Sequence, residues 1–149
     1  MPANITTLAR LATARADLLY SVLGLDEAAL SSSPVNGQWT AKDILAHVAA
    51  WEAWTVDRLG MALSGRAMEM VGVEAETENP RLYAERKDWP LCRSLAELSR
   101  THAGLLTVLQ AASEEDLERK YAAPWGKVRP NRWLEMMVEH DQEHTASIV

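Results

Sequence analysis

Apolar residues recur at spacings of three and four along nearly the whole chain and almost nowhere at a spacing of two. A helix returns to the same face about every 3.6 residues, so this rhythm predicts helices throughout. The first spans about 4–24, with Ile5, Leu8, Leu11, Leu18, Leu19, Val22 and Leu23 on one broad stripe and Gly24 as its stop. Residues 31–38 are dense in turn formers and read as loop. The second helix has the clearest start. Thr40 is its N-cap, Asp43 reaches back as a capping box, and Trp39 and Ile44 are spaced as a hydrophobic staple. Ile44, His47, Val48, Trp51, Thr55 and Leu59 then share a face, and the helix runs to about Leu63. A long polar connection, 65–89, contains a short helix from Pro80 to Asp88.

Pro90 opens the third long helix, whose stripe is Leu91, Leu95, Leu98, His102, Leu105 and Leu109. Ser113 to Asp116 caps another turn, 119–130 reads as loop, and a last helix covers about 131–147. Four long amphipathic helices predict an all-α four-helix bundle. The 65–89 connection exceeds the about 30 Å length of such a helix, which permits a crossover between helices two and three.

With 149 residues the chain is expected to form one domain, 1–149, with an adequate core of its own. Its 15 Lys and Arg against 21 Asp and Glu leave a formal net charge of −6. Such a chain lacks the basic field that phosphate backbones require, so no nucleic-acid partner is expected. No apolar run approaches the about 20 residues of a membrane span. The single Cys92 permits no intrachain disulfide, and Arg10 and Arg15 break any signal-like apolar run near the start. These features lead us to expect a soluble, cytoplasmic protein.

The histidines carry the chemistry. His140 and His144 are spaced to stack on one face of the last helix. His47 lies on the apolar stripe of the second helix, from which a bundle draws an inward third ligand. Three imidazoles suit one divalent ion, leave positions open for water or substrate, and do not choose among zinc, nickel, iron and copper. Spacing alone is equally compatible with a polar helix face and a hydrogen-bonded core histidine.

Two stretches sharpen the reading. Trp39-Thr-Ala-Lys-Asp-Ile-Leu-Ala-His47-Val-Ala-Ala-Trp51-Glu52 resembles the second-helix motif of the DinB-like (DinB/YfiT-type) four-helix bundles, and His140-Asp-Gln-Glu-His144-Thr-Ala-Ser-Ile148 resembles their final-helix motif. Lys87-Asp88-Trp89-Pro90-Leu91, His102 to Leu106 and Ser113 to Leu117 are similar to the DfsB branch, which includes a colibactin self-resistance protein. The resemblance spans essentially the whole chain. It implies an up-down-down-up bundle with a long crossover, a divalent metal on His47, His140 and His144, and a homodimer. It also implies metal-dependent chemistry on a reactive small molecule, by thiol-dependent S-transfer or by hydrolysis, with a low-molecular-weight thiol as a second cofactor. The alternative is a non-catalytic binding or sequestration protein in stress or toxin resistance, since function lives in the site and not in the bundle.

Other residues read more plainly. His102 is expected to be a core histidine bonded to a neighbour, and Cys92 a buried inert thiol. Asp43 either caps its helix or orients His47. Glu139, Asp141 and Glu143 are expected on a solvated face, where any of them could also serve a bound water as general base. Trp39, Trp51, Trp54 and Trp133 are core or the wall of an apolar pocket.

Overall fold

A computed structural model of the chain describes residues 3–65, 74–123 and 126–149. Four long helices carry the fold: α1 (Ala3–Ser21), α3 (Ala41–Leu63), α5 (Leu91–Ala111) and α7 (Pro130–Ile148). Shorter elements join them: α2 (Glu27–Ser32), β1 (Pro34–Asn36), β2 (Trp39–Thr40), α4 (Ala75–Arg86), α6 (Glu114–Glu118), β3 (Tyr121–Ala123) and β4 (Gly126–Val128).

The helix directions follow from which residues meet. Glu52 of α3 faces Thr101 and His102 of α5, and Lys42 reaches the Trp89 carbonyl just before α5 begins. Start therefore meets start, and α3 and α5 are parallel. Leu11 and Ala14 of α1 pack in one core cluster with Leu59, Leu105 and Leu109, from the later halves of α3 and α5, and with Leu134 from the early half of α7. Leu18 and Val22 join the early part of α3 and Ile148 in a second cluster. Hence α1 and α7 run together and opposite to the other pair, which gives an up-down-down-up four-helix bundle. The connection carrying α4 is the crossover that parallel α3 and α5 need.

Several boundaries differ from the sequence reading. α1 ends at Ser21 rather than near residue 24, and Gly24 sits in the turn beyond it with φ +81°, a conformation glycine adopts without strain. A short helix, α2, intrudes on the expected loop, because Asp26 caps it by accepting a bond from the Ala29 amide. α4 begins at Ala75, five residues before Pro80. Proline there removes one helical bond, but Glu76 and Pro80 are both exposed, so water can replace it. The two small antiparallel hairpins, β1–β2 and β3–β4, went unread because strands of two or three residues are too short to show alternation. The first of them leads directly into α3 and sets Trp39 at its mouth. Residues 66–73 of the connection and Pro124 of the expected loop lie outside the described residues. Among the described residues no helix is long and apolar enough to cross a membrane.

Candidate metal centre

The start of α3 is fixed by its cap. The Thr40 hydroxyl accepts from the Asp43 amide at 3.3 Å, and the Asp43 carboxylate accepts from the Thr40 amide at 2.9 Å and from its hydroxyl at 3.0 Å. Asp43 is thereby a capping residue. From that start, His47 falls two turns along on the inward face. α7 begins at buried Pro130, whose fixed φ suits a first helical turn, and it carries His140 and His144 inward one turn apart.

The three histidines converge. His140 Nε2 lies 3.0 Å from His47 Nε2 and 3.0 Å from His144 Nε2. In each neutral ring, Nε2 has either one proton or one lone pair in the ring plane. His140 can therefore satisfy one neighbour by a hydrogen bond but not both. A single cation satisfies all three lone pairs together. Two nitrogens 3.0 Å apart subtend about 90° at an ion about 2.1 Å from each, a separation ligands can adopt. The donor set therefore fits a divalent ion, and the group could hold one.

The electrostatics favour the metal-binding form. Burial and the neighbouring His140 and His144 push His47 down to about 2. Burial, then Arg15, lowers His140 to about 4; burial, then His140, lowers His144 to about 4. All three are neutral at pH 7, with lone pairs free for a cation. Among the described residues, the Nδ1 atoms of His47 and His144 are buried without a partner.

Beneath the histidines lies a charged layer that the sequence reading missed. The Arg15 guanidinium donates to Glu52 at 2.8 and 3.1 Å and to Asp141 at 2.9 and 3.4 Å. Glu52 also accepts from the Thr101 hydroxyl at 2.8 Å and meets His102 Nδ1 at 3.2 Å. One residue or more from each long helix therefore enters a single ionic network, with Arg15, Glu52 and Asp141 only 4%, 1% and 4% exposed. Burial raises the Glu52 carboxyl, but His102, Arg15 and Thr101 outweigh it and leave Glu52 below the usual range. Asp141 has the guanidinium as its main support, and burial leaves it above that range.

Two expectations change here. Asp141 is not on a solvated face; it turns inward because α7 places it one turn after Met137 and Val138 on the buried stripe. Glu139 and Glu143 are exposed, as expected, and Glu139 pairs with Arg132. Cys92 is exposed rather than buried, since the inward position in the first turns of α5 belongs to Ser94. His102 is the neighbour-bonded histidine expected, its partner being Glu52.

The histidines open onto a cavity of about 680 Å³. Trp39, Trp51, Trp54, Trp133, Met136, Met137, Asn79 and Glu143 contribute to its lining. The indoles of Trp51, Trp54 and Trp133 form a chain with centroids 5.8 and 5.5 Å apart, and Trp39 lies 4.6 Å from the His47 ring. The tryptophans thus form the pocket wall, and Trp133 also joins the core. The Trp51 indole donates to the Asn79 amide at 2.7 Å, tying α4 to the rim.

The sequence model of the DinB superfamily matches residues 10–148. No curated protein sequence matches the chain. Among solved structures, a mycothiol-dependent maleylpyruvate isomerase superposes with a TM-score of 0.83 at 17% identity, over 99% of this chain and 61% of its own length. This chain therefore spans less than two thirds of that isomerase. YfiT from Bacillus subtilis, described as a probable metal-dependent hydrolase with an unusual four-helix bundle topology, gives 0.75 at 21% identity, covering 97% of this chain and 83% of YfiT. TT2238, a four-helix bundle protein, gives 0.67 at 26% identity over 96% and 94%.

Proposed function

The chain belongs to the DinB superfamily, and on that premise we propose that it is a metal-dependent enzyme acting on a reactive small molecule, as a thiol-dependent transferase or a hydrolase. His47, His140 and His144 are the residues that hold the ion, a divalent transition metal such as zinc, nickel or iron. The single observation that carries this reading is the convergence of three imidazole Nε2 atoms beside a largely apolar cavity. The names of the structural neighbours, one mycothiol-dependent and one a probable metal-dependent hydrolase, point the same way. A bound divalent ion supplies a Lewis acid that lowers the pKa of a thiol or water beside it.

The remaining work belongs to the chain. The three imidazoles fix the donor geometry and leave one side open toward the cavity. The Trp walls offer apolar faces against which an apolar electrophile is oriented over that open side. Glu143, exposed at the cavity, is placed to exchange protons with a molecule held there. The ionic layer of Arg15, Glu52 and Asp141 ties the helices that carry the histidines. A cytoplasmic homodimer completes the reading.

The test is turnover by protein loaded with zinc and free of any polyhistidine tag. Cysteine and other low-molecular-weight thiols are supplied with 1-chloro-2,4-dinitrobenzene, and water alone with activated esters. The expected result is turnover that needs the metal and disappears in His140→Ala. Saturable binding without turnover across the panel contradicts the enzyme reading and favours sequestration.

A further inference from the structure

The cavity has a charge pattern that limits what it can hold. Among the described lining residues there is one carboxylate, Glu143, and no lysine or arginine. Arg15 is spent on Glu52 and Asp141 beneath the histidines. Arg58 lies 4.7 Å from the Trp54 ring centroid but is not part of the lining. Among the described lining residues, an anionic group brought into this space finds a positive partner only at the histidine end, once an ion is there. Elsewhere along the described lining it meets indole faces and Glu143, which offer no compensation for any water it gives up.

The walls favour the opposite kind of surface. Trp51, Trp54 and Trp133 meet at tilted and edge-on angles of 67° and 58°. Flat π faces and edges of this sort stack on unsaturated rings, attract cations and gain little from anionic groups. The Asn79 amide and Gln38 offer neutral polar atoms to a carbonyl or hydroxyl. A volume of about 680 Å³ is ample for a body of one or two rings.

We propose that the cavity selects a molecule with one metal-binding donor at its tip and a flat, aromatic or unsaturated body, and discriminates against a second anionic group. This inference rests on the metal reading above and adds the substrate class to it. The donor reaches the ion at the histidines, the body lies against Trp51 and Trp54, and the region away from the ion admits no further negative charge.

The experiment uses three hydroxamates with the same donor on the cobalt(II)-loaded full chain, read by the visible spectrum of the cobalt. Acetohydroxamate has no ring, benzohydroxamate adds one, and 4-carboxybenzohydroxamate adds a carboxylate to that ring. Benzohydroxamate is expected to bind about tenfold or more tighter than acetohydroxamate, the increment of a buried ring face. The carboxylated compound is expected to bind about tenfold or more weaker than benzohydroxamate. In Trp51→Leu the preference for benzohydroxamate is expected to shrink to within about threefold, with the cobalt spectrum of the unliganded variant showing that the ion site is intact. Spectra that respond to all three compounds, with the carboxylated one bound as tightly as benzohydroxamate, overturn the substrate class and leave the metal reading standing. An undiminished ring preference in Trp51→Leu overturns the role given to the wall. A parent protein that binds no cobalt overturns the metal reading and this inference with it.

Discussion

Replacing Arg15 by methionine removes a guanidinium bonded to two buried carboxylates, Glu52 and Asp141. Glu52 then keeps Thr101 and His102 as donors, whereas Asp141 loses the ion pair that supports it. Breaking a buried ion pair by deleting one partner costs about 3–5 kcal/mol, because the remaining charge stays desolvated. For a chain of this size each kcal/mol corresponds to about 2–4 °C, so the melting temperature should fall by about 6–20 °C. The pH dependence supplies a second, independent sign. In the variant both carboxyls lose the guanidinium that lowers them, so their folded pKa values move up and stability falls relative to the parent as pH rises and they ionise. The loss relative to the parent should therefore be larger at pH 8 than at pH 5. Thermal unfolding followed by circular dichroism at both pH values measures it. Replacing the whole trio by apolar residues, Arg15→Met with Glu52→Leu and Asp141→Leu, should recover most of the stability, since no charge is left stranded and Thr101 can still bond the Leu98 carbonyl. A loss below about 1 kcal/mol in the single variant, or one that does not vary between pH 5 and 8, would refute the reasoning.

Three further outcomes are expected. The metal-free protein should lose stability as pH falls from about 6.5 towards 4: the unfolded histidines take up protons there, while burial holds His140 and His144 near 4 and His47 near 2. Asp141 works in the opposite sense but is outnumbered; urea titrations at stepped pH, with and without zinc, should show zinc stabilising at pH 7.5 and little at pH 5. His102→Ala should leave metal affinity unchanged in calorimetric titration and cost about 1–2 kcal/mol of stability, since Glu52 retains Arg15 and Thr101. Thr40→Ala should cost about 1 kcal/mol through the lost cap, measured by urea unfolding.

The bundle was legible because helical periodicity is repeated over long segments and because Thr40 and Ser113 both begin capping boxes that the structure contains. The histidine cluster was legible because two residues one turn apart on α7 must share a face, while His47 stood on an apolar stripe. What escaped was the charged layer, although a signal for it was present. Arg15 is spaced with Leu11 and Leu18, Glu52 with Val48 and Thr55, and Asp141 with Leu134 and Val138. A charge on a buried stripe calls for a partner, and three such charges on three helices call for each other. Spacing within one helix cannot say which opposite helix supplies the partner, so the network becomes visible only once the helices are packed. The hairpins and α2 escaped for a simpler reason: elements of two to six residues are set by local turns and caps rather than by periodicity.

Metal analysis of the protein purified without a polyhistidine tag, followed by calorimetric titration of the stripped chain with zinc at pH 7.5, tests the central claim most directly. One divalent ion per chain is expected. His47→Ala, His140→Ala and His144→Ala should each weaken binding by orders of magnitude while circular dichroism shows the helices retained. A parent chain that binds no divalent ion, or a triple alanine variant that binds zinc as tightly as the parent, would contradict the account.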